Sequence, residues 1–312
     1  MDMWSHVDGV WREGKTEGAA LQWFNLSGEG AELDRLAQHY KLHPLSIEDC
    51  HSSLLHTPKI DDFGDYLFLV LLSFVPGKDG PEPDELDVFL GRDFVITYQD
   101  RPEPQLAVTE VLGALRNGIG VRPGADGIVY EIADRLVDAI LPQVNGLAER
   151  LDVIQDEIVT SQEAHPGENR AILSLRATAG RVRRLLSPQL LVMQRLSRGE
   201  FVVIEAANRI YFRDIYDHLV RTDLALEGLR EDAEVALSTY LSALNNRISE
   251  VMKVLAVVGA LALPASVIAS IFGTNFDNVP GLHSNWGFVF MLVGMSGLAG
   301  GMAYYFKRKG WF

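Results

Sequence analysis

Cysteine is nearly missing from these 312 residues: Cys50 stands alone. No intrachain disulfide can form, which fits a reducing compartment for the bulk of the chain. Positive charge is also scarce. Against 42 Asp and Glu there are 28 Lys and Arg, a formal net charge of −14, and so acidic a chain is not built to hold nucleic acid. Residues 1–18 contain no apolar run of the kind a secretory signal needs, so membrane insertion would have to rely on segments further along. No G-x-x-x-x-G-K-[ST] phosphate loop occurs, and Cys50 has no nucleophile–base setting around it. Neither an ATP-driven pump nor an enzyme is indicated.

Charge itself is absent from two C-terminal stretches. The 23 residues Val254–Phe276 and the 21 residues Trp286–Phe306 carry no ionisable Asp, Glu, Lys or Arg. As a helix the first reaches roughly 34 Å, enough to cross a hydrocarbon core of about 30 Å. The nine residues between them, Asp277–Asn285, form a polar loop with Pro280, Gly281, one acid and no Lys or Arg. Basic residues instead flank the outer ends: Arg247 and Lys253 before, Lys307, Arg308 and Lys309 after. The positive-inside rule then places both termini in the cytoplasm and the loop outside. Residues 251–312 therefore read as a transmembrane hairpin in contact with lipid. Pro264 is expected to kink or loosen the first span. Gly294, Gly297, Gly300 and Gly301 would let the second pack closely, or are ordinary membrane-helix glycines.

Residues 1–126 read as an α/β domain. Ala20–Asn25 and Tyr66–Val75 have strand character, and Leu86–Leu90 and Phe94–Tyr98 a hairpin pattern around Gly91-Arg92-Asp93. Helices are expected at Glu29–Tyr40, Pro44–Cys50 and Glu103–Arg116, and a polar loop at Pro76–Glu85. Residues 127–250 are helical. Stretches at Ile128–Gln162 and Glu168–Arg198, broken by His165-Pro166-Gly167, suggest an antiparallel hairpin. A stalk helix starting near Glu200 could run unbroken into the first span. Along it Ile215, Leu219, Thr222, Leu226, Leu229, Ala233, Ala236 and Tyr240 keep strict 4,3 spacing. Such a stripe packs against helices, either of a second copy or of the same chain. His39, His43, His51 and His56 read as surface or capping groups rather than metal ligands.

Several segments together resemble one family, the CorA-type divalent-cation channels. NNRISEVMKVLAVVGALALPASVIASIFGTNF (Asn245–Phe276) is similar to the end of its stalk helix, its first membrane helix and its signature. YYFKRKGWF (Tyr304–Phe312) is similar to its basic, aromatic tail. HPLSIEDC (His43–Cys50), PKIDDFGDYLFLVL (Pro58–Leu71) and FLGRDFVITY (Phe89–Tyr98) resemble its N-terminal domain, and FRDIYDHLVR (Phe212–Arg221) its stalk. The resemblance implies a funnel-shaped homopentamer in the inner membrane that passes Mg2+, with Co2+ or Ni2+ as further ions. First membrane helices would line the pore, and gating would depend on Mg2+.

The family signature Gly-Met-Asn stands here as Gly273-Thr274-Asn275. By resemblance, five Asn275 carboxamides would form the filter. Their carbonyl oxygens can accept hydrogen bonds from the waters that Mg2+ holds so tightly. Thr274 departs from the signature, and ZntB-like relatives, which resemble Zn2+ transporters, also vary that position. Gly281 departs as well, standing after the loop proline where many Mg2+ members have glutamate, so that Asp277 is the remaining acid at the outer mouth. The resemblance puts Met252, Leu255 and Gly259 on the pore side, where apolar rings can gate by dewetting. It makes Asp214 a ligand of a regulatory Mg2+ held between protomers, with a partner sought in the Asp84–Asp87 stretch. A membrane-anchored Mg2+ sensor that conducts nothing is the reading of a different class.

Overall fold

A computed structural model describes every residue except 8, 9, 17, 79, 162–164, 276–278, 282 and 312. It divides the chain into two compact units, residues 1–156 with 166–237, and residues 157–165 with 238–312. In the first, seven strands form one sheet: β1 (Asp2–Val7), β2 (Val10–Glu13), β3 (Leu21–Ser27), β4 (Lys59–Asp62), β5 (Tyr66–Gly77), β6 (Gly80–Gly91) and β7 (Phe94–Gln99). Their order is β2-β1-β3-β7-β6-β5-β4. Neighbours run antiparallel except β3 and β7, which are parallel. The expected strand at Tyr66–Val75 is there, and Tyr66–Phe74 is buried on both faces, which explains its unbroken apolar run.

Helices cover the sheet. On one face α1 (Gly30–Tyr40) and α2 (Pro44–His51) close over Phe24, Leu26, Phe68, Val70, Phe89, Ile96 and Tyr98. The imidazole of His43 accepts the Leu45 N–H at 3.2 Å and so caps α2, the role its position suggested. α3 (Leu106–Arg116), α4 (Ala125–Asp138), α5 (Ile140–Ser161) and α6 (Pro166–Ser197) follow in sequence, with α4 and α6 packed against the sheet.

Three expectations need correcting. Pro76–Glu85 is not a loop: β5 and β6 continue as a two-stranded ribbon, with Pro76 opposite Pro81 and Gly77 opposite Gly80. Proline is tolerated there because a ribbon beyond the sheet has a free hydrogen-bonding edge. Gln189 of α6 covers part of that edge, accepting the Leu72 N–H at 2.7 Å and donating to the Leu72 carbonyl at 3.2 Å. Second, the helix expected at Ile128–Gln162 breaks at Ala139, between α4 and α5. Pro142 has no N–H to offer the Asp138 carbonyl, which accounts for the break. Third, the stalk helix α7 spans Arg209–Phe272, not Glu200 onward. Residues 201–208 instead fold as turns that bury Phe201, Ile204 and Asn208.

The 4,3 stripe on α7 is buried within this one chain. Ile215, Leu219, Thr222, Leu226, Leu229, Ala233, Ala236 and Tyr240 are all 5% exposed or less. Polar contacts beside the stripe tie α7 to α5 and α6: Gln155 Nε2 donates to the Asp232 carbonyl, Arg176 pairs with Glu234, and Arg183 with Asp223. The same-chain alternative therefore holds, and this face is not where copies meet.

In the second unit, the C-terminal part of α7 and the helix α8 (Gly287–Arg308) are both long and apolar enough to cross a membrane. Their half-buried positions recur helically, at Leu261, Pro264, Ala265, Ile268 and Phe272 on α7, and at Met291, Met295, Ala299 and Ala303 on α8. The α8 glycines do not share that face. Gly294, Gly297, Gly300 and Gly301 are exposed, with nothing near a would-be Cβ, so close packing against the first span is not their role within one chain.

Candidate functional site

α7 ends where the signature begins. The Gly273 N–H donates to the Ala269 carbonyl at 2.9 Å and the Thr274 N–H to Ile271 at 3.3 Å, a last tightened turn. Gly273 does not have positive φ, so the turn does not require a left-handed residue there. The Thr274 hydroxyl donates back to the Ile271 carbonyl at 2.8 Å. The Ile271 carbonyl thereby accepts twice from Thr274, and the hydroxyl is engaged by its own helix. Asn275, next in line, is exposed. Asp277, the expected acid of the outer mouth, lies outside the described residues.

At 3.6 residues per turn, Met252, Leu255 and Gly259 fall within about 60° of one another around α7. Val257, the one fully buried apolar residue of this span at 3% exposure, lies about 140° to 160° away. Met252 and Leu255 are each 60% exposed. Met252 and Leu255 are thus open on the far side of the helix from its buried position, and Gly259, half-buried, follows on the same side. The strip contains no charged group.

Asp214 lies on α7 four residues before His218, so both project from one face. His218 Nε2 is 3.9 Å from Asp214 Oδ2, and His218 Nδ1 is 2.9 Å from Asp138 Oδ1. Asp134, one turn before Asp138 on α4, completes a group whose ligand atoms, with those of Asp138 and His218, lie within 4.8 Å of one another. Burial, and after it the Asp138 carboxylate, push the Asp134 carboxyl above its ordinary range. This is an acidic corner that a cation would relieve. Within one chain Asp84 and Asp87 lie apart from this corner, on β6: they are 6% and 4% exposed, and Asp84 is paired with Arg101 at 3.3 Å. Sequence reasoning missed Asp134, Asp138 and His218. The Asp214–His218 spacing was visible, but the α4 acids come from far along the chain.

The profile of the family described as CorA-like Mg2+ transporter protein matches residues 18–308. The chain belongs to the CorA-like family. The cobalt/magnesium transport protein CorA of Thermotoga maritima is 30% identical over 305 residues, covering 93% of this chain and 83% of that protein. A zinc transport protein, ZntB of Pectobacterium carotovorum, is 27% identical over 301 residues, covering 93% and 87%. Among solved structures, the complete CorA magnesium transporter of Methanocaldococcus jannaschii superposes with a TM-score of 0.87 at 18% identity, over 100% of this chain and 98% of that one. The two membrane-length helices and the α/β unit are thus those of a CorA-like fold.

Within that fold, the Gly281 departure has a local cause. Gly281 has φ of +89°, a conformation that strains glutamate and every other L side chain. Its carbonyl also presses on Gly287, the first residue of α8, so closely that a Cβ there would clash. The loop is folded tightly onto the start of the second span, and glycine is needed on both sides of that contact.

Proposed function

We propose that the chain is a passive channel for hydrated divalent cations, Mg2+ above all and Co2+ or Ni2+ as further ions. It would act as a homopentamer in the cytoplasmic membrane, with both termini in the cytoplasm. Two spans per chain cannot enclose a pore, so conduction requires several copies. The observation that carries the reading is the end of α7: an uncharged span closes on Gly273-Thr274, the Thr274 hydroxyl turns back onto Ile271, and Asn275 is left exposed. A ring of five Asn275 carboxamides is neutral and rich in acceptors. It would hold the ion's water shell instead of replacing it. The strip of Met252, Leu255 and Gly259 would line the pore and gate it by dewetting. A 2+ ion moving inward across 100 mV gains about 4.6 kcal/mol, so uptake needs no coupled energy source.

Asp214 would serve regulation. With His218, Asp138 and Asp134 it offers carboxylates that suit Mg2+, and cytoplasmic Mg2+ bound there would hold the assembly closed. A second reading, a Zn2+ transporter, is favoured by one observation: Thr274 replaces the usual Met in a chain that also matches a ZntB. The test is uptake of Mg2+ and Zn2+ into proteoliposomes at low internal Mg2+. Mg2+ flux that excess Zn2+ blocks only weakly supports the channel reading. Zn2+ flux with little Mg2+ flux moves the chain to the zinc reading, and no flux from a verified pentamer sinks both in favour of a sensor.

A further inference from the structure

The chain carries far more acid than base, yet one groove is charged by arginine alone. It lies between α6 and α7, within the first unit, and holds about 520 Å3. Leu173, Arg176, Gly180, Arg183 and Arg184 border it from α6, and Arg230 from α7. The α6 residues recur at three- and four-residue steps, so one helix face supplies them. No Asp or Glu is among the lining residues.

The guanidinium groups converge. Arg184 Nη1 and Arg230 Nε stand 3.5 and 3.9 Å from the point that a Cβ on Gly180 would occupy, so glycine leaves both room over the floor of the groove. Arg183 Nη1 and Arg230 Nη1 both reach Glu227 Oε2, the second at 3.3 Å. Arg183 also holds Asp223 through Nε and Nη2, and Arg176 holds Glu234 at 2.8 Å. These three acids all belong to α7. They fix three of the forks from one side. Arg184 is exposed and forms no ion pair among the described residues. A guanidinium has five N–H donors, so Arg176 and Arg230 keep donors beyond the one each gives its acid. Cations packed this closely repel one another unless an anion lies among them.

We propose that this groove binds a soluble oligophosphate, of the kind carried by nucleoside di- and triphosphates. Arginine forks match phosphate oxygens in pairs. Arg176 and Arg184 are about 12 Å apart along α6, a spread that suits a chain of phosphates better than a single small anion. The volume is that of a small-molecule site. Leu173, 44% exposed at one end, offers an apolar step for a base or sugar. Binding needs neither a pore nor a metal ion, so it stands apart from the conduction reading. Because α7 runs unbroken from Arg230 into the first span, occupancy would also bear on flux. That consequence, unlike binding itself, rests on the channel reading.

Calorimetric titration of the full-length protein in detergent, at physiological salt and without divalent ions, tests it with tripolyphosphate and ATP as separate probes. At least tripolyphosphate is expected to bind, at one site per chain. Arg184→Ala and Arg230→Ala should each weaken binding about tenfold or more, the usual weight of a charged hydrogen bond. Arg184→Glu should abolish it. Arg184 variants should keep the native unfolding temperature, so they decide the matter even where Arg230→Ala does not fold. Leu173→Ala separates the sources: ATP weakened with tripolyphosphate unchanged assigns the groove to a nucleotide, and both unchanged assign it to the phosphate chain alone. Asn275→Ala should bind as the native protein does while changing flux, which separates a failure of this site from a failure of the channel reading. Native protein that takes up neither probe overturns the proposal, as does native-like binding by Arg184→Glu or displacement of the probes by equimolar sulfate. A changed number of copies in Arg184→Glu, with probe binding intact, would overturn it in favour of an acidic face of a second copy.

Discussion

Leu226 and Leu255 are the same side chain on the same helix, yet the first is 0% exposed and the second 60%. The difference runs through the two units. In residues 1–156 with 166–237, most long apolar side chains find their cover within one chain, while Leu54, Leu106 and Val202 among others stay exposed. The 4,3 stripe of α7 is consumed by neighbouring helices, and the open edge of β5 is met by Gln189. In the spans, Val251, Met252, Val254, Leu255, Val258, Leu263, Val267 and Ile271 lie open, as do Phe288, Phe290 and Val293. A unit that completes its own core can be stable as a single chain. A pair of spans with both flanks open is complete only among lipid and further copies. Assembly therefore has to be read from the membrane helices and from the outer face of α7, and not from the heptad stripe.

The sharpest way to break this contrast is a matched pair of truncations on α7. Leu226→Ala should cost about 2–5 kcal/mol of stability, as large-to-small changes in a closed core do. Leu255→Ala should shift unfolding by no more than about 0.5 kcal/mol while altering ion flux. Thermal unfolding of the detergent-solubilised protein reads both. Equal losses would mean that the strip is structural and not a pore lining.

A second probe uses Asp87 within the closed core. Its pKa is raised from 3.8 to about 7, chiefly by burial, so the folded state holds this proton more tightly than the unfolded state does. Stability then falls as pH rises from about 4 to about 7, and stays at the lower level above that. Asp87→Asn should stabilise the protein at pH 8, by a few kcal/mol at most, and give no such gain at pH 4. Unfolding curves at the two pH values decide it. A gain of equal size at both would show that the carboxyl is not titrating.

Much of this was legible because the membrane part is written in a simple code: uncharged runs of the right length, with basic flanks. β3, β5 and β7 could be read from their apolar runs. β1, β2 and β4 could not. They are four to six residues long, and their polar, partly exposed positions, as in Lys59-Ile60-Asp61-Asp62, resemble loop. The β5–β6 ribbon misled for the opposite reason, since Pro76, Pro81 and Pro83 signal a loop unless a free ribbon edge accommodates them. At the site, the end of α7 was visible at Gly273–Asn275. The direction of the Thr274 hydroxyl was not, because it depends on how the last turn closes. Asp134 and Asp138 stay hidden in sequence because only the fold carries α4 to His218.

Smaller effects test the finer assignments. His218→Ala removes the group that links Asp214 to Asp138, and loss of such a supporting contact should raise the Mg2+ needed to protect the protein from proteolysis by about tenfold or more. Unchanged Mg2+ protection would take the regulatory role away from this corner. Thr274→Met should have the smallest effect. It forfeits one hydrogen bond to Ile271, worth about 1 kcal/mol, and leaves Asn275 in place, so Mg2+ flux should stay within about twofold of native. A collapse of flux would mean that the hydroxyl itself belongs to the filter.

The most direct test of the account is Mg2+ uptake into proteoliposomes by native protein and by Asn275→Ala, with pentamer content matched. An exposed carboxamide at the end of an otherwise uncharged span predicts that flux collapses in the variant while assembly and unfolding temperature are unchanged. Mg2+ flux at native levels from Asn275→Ala would contradict it, because the ring at the end of α7 would then not be what selects the ion.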